Sequence, residues 1–346
     1  MKILYGIQGT GNGHIARSRI MAKHFADRNI AVDYLLSGRE ADQYFDMEIF
    51  GNYQLRRGLT FVTNGGKINH FKTATQNNLL QCIRDIKQLD LTTYDLVITD
   101  FEPITAWAAK LKNKPCLAIG HQYAFGEGTP ISGENPLARF IMKNFAPAHL
   151  KLGLHWHPYN EAILPPIIDT TIKAEGNKQA IVVYLPFEDQ AKVTELLQNF
   201  KNQRFVQYSS ELSDTELGHI SLRKASHDGF KRDLCAAKGV ICNTGFELIS
   251  ECLHLGLPIL TKPVDGQMEQ LSNAKALEDL NYATITRQLN HACIQAWLDK
   301  PITRDAITTP NVAKDIVEWI LEKNLANTKA LSERFWHKNP PVELFI

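Results

Sequence analysis

The strongest chemical signal in the sequence is a polar turn between a strand and a helix. Residues Val240–Cys242 are apolar and predict a buried strand, which is followed by Asn243-Thr244-Gly245. The next stretch predicts a helix over residues 246–255. A turn at this position presents free N–H groups and the positive end of the helix dipole. The pattern therefore predicts an anion site that suits a diphosphate.

A carboxylate and a polar loop follow at positions that suit a sugar. Glu251 lies on the edge of the apolar face of the predicted helix. Past the next predicted strand, Gln267, Glu269 and Gln270 lie near the start of another helix. Carboxylates and amides form hydrogen bonds with hydroxyl groups, so the whole segment suits a nucleotide sugar. The alternative is an ordinary βαβ unit with a hydrogen-bonded glutamate.

The segment resembles the donor-binding half of GT-B glycosyltransferases, chiefly the peptidoglycan N-acetylglucosaminyltransferase and the UDP-dependent glycosyltransferases of plants and animals. The matching residues occur in an ungapped order and are Thr244-Gly245, Ser250-Glu251, Gly256-Leu257-Pro258, Glu269-Gln270 and Asn273-Ala274. The resemblance implies an α/β fold of the GT-B class. In that fold two doubly wound, Rossmann-like domains with parallel sheets face each other across a cleft.

The resemblance also implies roles for these residues. In that family the turn contacts the donor diphosphate, the helix carboxylate contacts the ribose, and an acidic or amide pair contacts the sugar. The implied donor-binding residues are Asn243, Thr244, Gly245, Phe246, Glu251, Gln267, Glu269 and Gln270. Relatives often carry a basic or imidazole side chain where Asn243 stands, and glycine and serine where Pro186-Phe187-Glu188-Asp189 stands. The diphosphate contacts are therefore only partly assigned.

A second candidate site follows the first predicted strand, Lys2–Ile7. The glycine-rich turn Gly9-Thr10-Gly11-Asn12-Gly13 leads to His14 at the start of a predicted helix. Glycine permits positive φ and the close approach of a ligand, and we expect both here. The turn is not a dinucleotide fingerprint, because G-x-G-x-x-G requires a glycine where His14 stands.

His14 is the candidate general base. In the inverting glycosyltransferases that the sequence resembles, a histidine at this place takes the proton from the acceptor hydroxyl. Asp100 ends the strand predicted over 94–99 and resembles the aspartate that plant glycosyltransferases pair with that base. The alternatives are a packing or capping role for His14 and a helix-capping role for Asp100. His121 and Gln122 follow the last predicted strand of the first half, and topology places them on the acceptor side of the cleft.

Strands and helices alternate along the chain in two series, which predicts parallel sheets covered on both faces. The Pro-rich stretch Leu164-Pro165-Pro166 lies between the two series. We therefore predict an acceptor-side domain over residues 1–160 and a nucleotide-sugar donor domain over residues 161–325. We expect a C-terminal helix over residues 326–346 to pack back on the first domain.

Composition argues against several other classes of protein. The 346 residues carry a net charge of +1, so no global positive field argues for nucleic acid as a partner. The six cysteines show no C-x-x-C pattern and are interpreted as buried thiols in a reducing compartment. Since there is no apolar run of 18 residues and no signal peptide, we expect a cytoplasmic protein.

The sequence contains no Asp-x-Asp motif, which argues against a metal-bridged diphosphate. We therefore expect no metal and no cofactor, with a UDP-sugar as co-substrate. The predicted activity is an inverting, metal-independent transfer of a hexose from a UDP-sugar to an acceptor hydroxyl, in cell-envelope glycan or glycolipid synthesis. The alternatives are a UDP-sugar epimerase of the same fold and a non-catalytic nucleotide-sugar-binding subunit.

The expected acceptor is a sugar or a lipid-linked acceptor. Residues 135–160 contain no Asp or Glu but include Arg139, Lys143 and Lys151. Such a segment is typical of a buried helix and linker. It is also typical of a peripheral contact with the anionic inner face of a membrane, as in related enzymes with lipid-linked acceptors.

Overall fold

A computed structural model describes residues 1–60, 63–64, 67–68, 77–126, 128–159, 162–176, 179–300, 305–322, 325 and 327–338. Among these residues, seven parallel strands form a first sheet in the order β3-β2-β1-β6-β7-β8-β9. Their bounds are β1 Lys2–Gln8, β2 Ala31–Ser37, β3 Gln54–Arg56, β6 Leu96–Asp100, β7 Cys116–Gly120, β8 Leu150–Leu154 and β9 Ile163–Leu164. A separate antiparallel pair consists of β4 (Thr63–Asn64) and β5 (Lys67–Ile68).

The helices that accompany the first sheet are α1 Asn12–Asp27, α2 Leu79–Gln88, α3 Pro103–Leu111 and α4 Pro136–Asn144. Short 3-10 turns cover Ala41–Gln43, Glu48–Phe50 and His121–Ala124. The start of α3 shows why the chain leaves the sheet where it does. Pro103 occupies the first turn, and the Glu102 side chain accepts hydrogen bonds from the N–H groups of Ile104 and Thr105. This cap fixes α3 directly after β6.

A second sheet of seven strands lies within the same described residues, in the order β12-β13-β11-β10-β14-β15-β16, and only β12 runs antiparallel. The strands are β10 Ala180–Tyr184, β11 Arg204–Ser209, β12 Thr215–Leu217, β13 Ile220–Lys224, β14 Ala237–Asn243, β15 Ile259–Lys262 and β16 Thr284–Ile285. The helices are α5 Gln190–Leu197, α6 His227–Cys235, α7 Phe246–His254, α8 Met268–Asp279, α9 His291–Leu298, α10 Val312–Leu321 and α11 Thr328–Lys338. We call the two sheets with their helices the first half and the second half.

The two halves share a hydrophobic core. One continuous cluster of buried side chains includes Ile3 and Leu117 from the first sheet and Val240 and Phe246 from the second half. The central strands of both sheets are almost continuously buried, as expected for parallel strands covered on both faces. The halves are therefore in direct apolar contact in this arrangement.

The chain crosses between the halves after the first sheet is complete. Strand β9 pairs with β8, so the first sheet extends beyond residue 160 to Leu164. The C-terminal helix α11 returns to this strand, where Ser332 Oγ and Trp336 Nε1 donate to the carbonyl of Ile163 at 2.5 and 2.7 Å. Helix α10 packs on α1. The predicted bounds of the two domains stay a prediction, and residues 339–346 of the expected helix lie outside the described residues.

Helix α4 is not a buried helix. None of its residues is buried, and Leu137 and Phe140 are exposed. The prediction of a buried helix at this position is therefore wrong. Of the helices in the described part of the chain, none combines the length and the apolar character that crossing a bilayer requires.

Candidate active site

The two candidate catalytic side chains follow or end neighbouring strands of the first sheet: His14 lies in the first turn of α1, after β1, and Asp100 is the last residue of β6. Strands β1 and β6 pair in parallel with Ile7 opposite Asp100, so the turn after β1 and the end of β6 meet at one edge. His14 Nδ1 lies 2.7 Å from Asp100 Oδ1. The Asp100 side chain is fully buried, and 13% of the His14 side chain is exposed. The structure thus brings the predicted pair into contact, with one edge of the imidazole open to a ligand.

Arg17 completes this cluster and was not predicted from the sequence. Its Nε donates to Asp100 Oδ2 at 2.5 Å, and its Nη2 donates to Oδ1. Its Nη1 donates to the carboxylate of Glu247 in α7. Arg17 is the largest fully buried side chain in the described residues, and a buried guanidinium needs such paired carboxylates. The sequence contained one indication of this role: Arg17 lies three residues after His14, and residues at that spacing lie on one face of a helix.

The charges of this cluster follow from burial and pairing. Burial alone would raise the pKa of Asp100, but Arg17 and His14 keep that pKa below its ordinary value. Burial raises the pKa of Glu247, although Arg17 opposes the effect. Burial alone would lower the pKa of Arg17, but the carboxylates of Asp100 and Glu247 outweigh burial and raise that pKa above its ordinary value. Asp100 is therefore an ionised acceptor beside a permanently charged guanidinium.

The tautomer of His14 depends on which neighbour its Nδ1 uses. Asp100 can only accept there, whereas Arg17 Nη2, also 2.7 Å from Nδ1, can only donate. With the proton on Nδ1, the ring donates to Asp100 and leaves a lone pair on Nε2. That is the form in which a histidine backed by a carboxylate acts as a general base.

The glycine-rich turn contains no left-handed glycine: Gly11 is extended, and Gly13 already belongs to α1. Gly11 has φ −122°, and Gly9, Gly11 and Gly13 are not among the glycines with positive φ. The expectation of positive φ is therefore wrong here. A Cβ on Gly13 would lie 3.0 Å from Glu247 Oε2, which is closer than a Cβ normally packs. Glycine at this position therefore allows Glu247 of the second half to lie against α1.

Other groups of this turn are bonded within the protein. Asn12 Nδ2 donates to the hydroxyl of Tyr184 at 2.9 Å, which links the two halves. Arg39 donates from Nη2 to Asn12 Oδ1 at 2.9 Å. Thr10 Oγ1 accepts from Gln8 Nε2 at 2.5 Å. The turn is therefore fixed by side chains on both of its sides.

The predicted anion turn forms at the start of α7. Thr244 is buried, its Oγ1 lies 2.9 Å from Thr261 Oγ1, and its N–H donates to Gln270 Oε1 at 3.1 Å. Asn243 Nδ2 donates to the carbonyl of Lys262 at 3.1 Å. Gly245 forms no side-chain cap, and a Cβ there would meet no described atom within 4 Å. Gly245 thus remains open to an anion, whereas the Thr244 N–H is already used and Phe246 and Glu247, the first residues of α7, are buried.

A sequence model of glycosyl transferase family 1 matches residues 1–301. The chain belongs to this family. The resemblance to GT-B glycosyltransferases is confirmed, and the protein is a glycosyltransferase. None of the curated proteins matches this sequence closely enough to count as a relative.

Solved structures show the same fold. CalG4, the calicheamicin glycosyltransferase, has a TM-score of 0.57 at 15% identity, with 98% of this chain and 99% of that chain covered. The Streptomyces sp. SF2575 glycosyltransferase SsfS6, complexed with thymidine diphosphate, has a TM-score of 0.58 at 12% identity, with 97% and 96% covered. The predicted fold of two Rossmann-like domains in a GT-B arrangement is confirmed.

The carboxylate predicted to contact the ribose is already paired in this glycosyltransferase. Glu251 is buried, and Lys231 Nζ on α6 donates to its Oε1. The sequence did not indicate Lys231, which lies 20 residues away on another helix. The second carboxylate oxygen is the one that remains for a ribose hydroxyl.

The predicted sugar contacts divide into two groups. Gln270 is buried, and its Oε1 accepts from the N–H groups of Thr244 and Val264 at 3.1 and 3.0 Å, so it stabilises the turn at Asn243-Thr244-Gly245. Glu269 Oε2 accepts from Gln122 Nε2 at 2.9 Å, across the two halves. Gln122 Oε1 and Gln267 Oε1 are buried and have no hydrogen-bond partner among the described residues.

His121 is fully buried between the halves. Its ring stacks on Phe246 at 3.9 Å between centroids with an interplanar angle of 4°. Its Nδ1 and Nε2 lie 2.7 Å from the carbonyl oxygen of Leu154 and 2.6 Å from Asn273 Oδ1. Burial lowers the pKa of His121. In this arrangement His121 packs the halves together instead of facing an acceptor, and Gln122 carries the polar contact.

Proposed function

We propose that this glycosyltransferase transfers a hexose from a UDP-sugar to an acceptor hydroxyl, with inversion at the anomeric carbon. The observation that carries the proposal is the contact between His14 and Asp100 beside the first turn of α7. A base and an anion site from different halves meet there. This is the layout that a transfer between a diphosphate donor and a hydroxyl acceptor requires.

In the proposed reaction, His14 Nε2 takes the proton of the acceptor hydroxyl. The acceptor oxygen forms a bond to the anomeric carbon while the bond from that carbon to the diphosphate oxygen breaks on the opposite face. Asp100 stabilises the resulting imidazolium. The N–H groups at the start of α7 stabilise the charge on the departing UDP, without a metal or a cofactor.

The unpaired side-chain oxygens support a sugar as ligand. A buried hydrogen-bond acceptor without a partner costs about 1–3 kcal/mol of folding free energy. Gln122 Oε1 and Gln267 Oε1 are two such atoms, so they favour a ligand whose groups donate hydrogen bonds to them. Gln122 contacts Glu269, and Gln267 lies two residues before Glu269 in the chain. Hexose hydroxyls would supply donors to all three groups.

Two alternatives predict different products. An epimerase of the same fold would convert a UDP-sugar without an acceptor, and it would need acidic and basic groups on both faces of the sugar. A nucleotide-sugar-binding subunit would bind the donor without turnover. The presence of His14 and of the α7 turn in one chain favours a complete enzyme over a subunit.

A ligand screen followed by product analysis tests the proposal. Thermal shift with UDP, dTDP and GDP and their sugars identifies the donor, and the thymidine diphosphate bound to SsfS6 makes dTDP the main competitor. Turnover with candidate acceptors then gives a product whose anomeric configuration is read by proton NMR. We expect stabilisation by UDP-sugars and an inverted product. Retention of configuration, or loss of activity on chelation of divalent metals, would contradict the mechanism.

We further propose that the acceptor is lipid-linked and that the first half touches the inner face of a membrane. Leu79 and Ile83 on α2 and Leu137 and Phe140 on α4 are exposed apolar side chains. An apolar groove runs between these helices and is lined in part by Lys87, while Lys143 lines a neighbouring hollow on α4 that shares Phe140 with the groove. Exposed apolar groups flanked by lysines are typical of contacts with anionic lipid.

Sedimentation with vesicles tests the membrane contact. Phe140→Glu should reduce binding to vesicles that contain phosphatidylglycerol. Leu217→Glu is the matched control, because Leu217 is also exposed but lies on β12 of the second half. Equal binding by both variants would remove this face from the proposal.

A further inference from the structure

We propose that Lys262 binds the diphosphate of the donor, and that this diphosphate replaces the carboxylate of Glu188 as the partner of the Lys262 ammonium. The inference rests on the proposed function, because it assigns a charged residue to the same donor turn. It adds a positive charge to a site whose other proposed contacts with the leaving group are backbone N–H groups. Lys262 contacts the leaving group directly in this proposal.

Three neighbouring strands bring Glu188, Asn243 and Lys262 to one edge of the second sheet. Strand β14 ends at Asn243 and β15 ends at Lys262, and these two residues are opposite each other in the pairing of the strands. Strand β10 lies on the other side of β14, and Glu188 follows it in the loop before α5. In open sheets of parallel strands, ligands bind beyond the carboxyl ends of the strands. The three side chains therefore share the edge at which a ligand is expected.

The carboxylate of Glu188 is bonded to both of the other side chains. The Lys262 ammonium lies 2.7 Å from Glu188 Oε1. Asn243 Nδ2 donates to the same oxygen at 3.3 Å and to the carbonyl of Lys262 at 3.1 Å. Oε1 thus accepts from an ammonium and an amide, as an oxygen of a phosphate would. The Lys262 and Glu188 side chains are 12% and 15% exposed, so a ligand in solution can reach the pair.

The donor turn needs a further positive group, because two of its backbone N–H groups are already used. The Thr244 N–H donates to Gln270 Oε1 at 3.1 Å, and the Gly245 N–H donates to the carbonyl of Asn243 at 2.8 Å. A departing diphosphate gains negative charge. Hydrogen bonds in which both partners are charged are about twice as strong as neutral ones. Lys262, opposite Asn243 on the next strand, supplies such a bond.

Glu188 is the group that must move for a diphosphate to bind. A carboxylate beside the donor turn would repel a phosphate there, since like charges in contact are unfavourable. The main chain of Glu188 is fixed, because its N–H donates to the carbonyl of Leu185 at 3.0 Å and its own carbonyl accepts from Gln190 Nε2 at 2.9 Å. Rotation of the Glu188 side chain toward solvent is enough to free Lys262, and no strand has to move.

Titration calorimetry with UDP and with uridine tests the contact. Lys262→Met removes the ammonium from a side chain of similar length, so UDP affinity should fall by about 10–100-fold while uridine affinity is kept. Lys262→Arg keeps the charge and should retain most of the UDP affinity. Lys238→Met is the matched control, because Lys238 is a half-buried lysine near the start of β14, at the opposite edge of the sheet.

Replacement of Glu188 separates a phosphate contact from a purely structural ion pair. Glu188→Gln removes the competing carboxylate and should raise UDP affinity by about 2–5-fold, which is the range for a partly exposed ion pair. If Lys262 served only to neutralise Glu188, the double variant Glu188→Gln/Lys262→Met would bind UDP like the parent protein. We expect the double variant to bind UDP more weakly than the parent. It also provides the test if the unpaired Glu188 prevents Lys262→Met from folding.

The outcomes for this inference and for the proposed function are distinct. Parent-like UDP binding by Lys262→Met or by the double variant overturns the inference, even if the enzyme transfers a hexose from a UDP-sugar with inversion. Binding of dTDP or GDP that depends on Lys262, with binding of thymidine or guanosine unaffected, supports the inference and contradicts only the proposed donor. A parent protein that binds none of UDP, dTDP and GDP overturns both.

Discussion

The carboxylate of Glu251 on α7 and the ammonium of Lys231 on α6 form an ion pair, with 5% and 17% of their side chains exposed. The pair joins α6 to α7 and fixes the carboxylate before a nucleotide arrives. Preorganisation of this kind reduces the cost of ordering a binding group. Because the two residues form one ion pair, replacing each in turn distinguishes the role of the carboxylate from that of the ion pair.

We expect Glu251→Ala to weaken UDP binding by ~1.5–3 kcal/mol, because the charge-assisted hydrogen bond from a ribose hydroxyl to the second carboxylate oxygen would be lost. Isothermal titration calorimetry measures the change. Lys231→Ala is the control, since it breaks the ion pair but leaves the carboxylate. If both variants lose the same affinity, the ion pair shapes the site and Glu251 does not contact the ribose.

His14→Ala should reduce turnover by ~10²–10⁴-fold while UDP affinity is retained, because a general base contributes to the reaction rather than to donor binding. Steady-state rates and calorimetry on the same preparation measure both quantities. Normal turnover by His14→Ala would exclude it as the base.

Asp100→Asn should give a smaller loss of the same kind, because the amide leaves the imidazole present but poorly oriented. The ¹⁵N shifts of the His14 ring report the tautomer in both proteins. We expect the proton on Nδ1 in the parent and a mixture in the variant. A lower melting temperature with unchanged tautomer and rate would leave Asp100 with a structural role alone.

Gln270→Ala and Gln267→Ala should differ in kind. Loss of Gln270 leaves the N–H groups of Thr244 and Val264 without their acceptor, at about 1–3 kcal/mol each, so the melting temperature falls. Loss of Gln267 removes a buried oxygen that has no partner in the described structure, so stability is kept and UDP-sugar affinity falls relative to UDP. Equal loss of UDP and UDP-sugar in Gln267→Ala would argue against a sugar contact.

Acid should remove the stabilisation that Asp100 provides. Burial opposes ionisation, but Arg17 and His14 keep the pKa of Asp100 below its ordinary value, so its contribution is complete above that value and is lost as pH falls through the lower, folded-state pKa. The difference in unfolding free energy between the protein and Asp100→Asn should be constant above about pH 5 and shrink below about pH 4. Urea unfolding at several pH values measures it. The exposed Asp228→Asn serves as control and should show no such trend.

The sequence predicted elements more successfully than contacts. The strand predicted over Lys2–Ile7 is found as Lys2–Gln8, and the helix predicted over 246–255 is found as Phe246–His254 after its polar turn. His14 and Asp100 meet because parallel neighbouring strands end at one edge, which a sequence pattern can indicate. These features depend on local chemistry and on simple topology.

The missed contacts depend on residues far apart in the chain. Arg17 and Glu247 are 230 positions apart, and an arginine in a helix is ordinarily expected in solvent. From the sequence, Lys231 is expected on the surface of α6, but in the structure it is paired with Glu251. The position of Gln270 in the sequence predicts a sugar contact, but in the structure its amide oxygen accepts a hydrogen bond from the backbone N–H of Thr244. Such pairings follow from how the two halves face each other, which local patterns do not encode.

The double hydrogen bond to the Ile163 carbonyl limits how the enzyme can move. The polypeptide passes between the halves after Leu164 and returns between Ile307, bonded to Leu253 of α7, and α10 on α1. Because two connections join the halves, we expect any opening to be a rotation about the line through both of them and not a free twist. In such a rotation, Gly13 and His14 would move away from the first turn of α7 and return to the same contacts on closing.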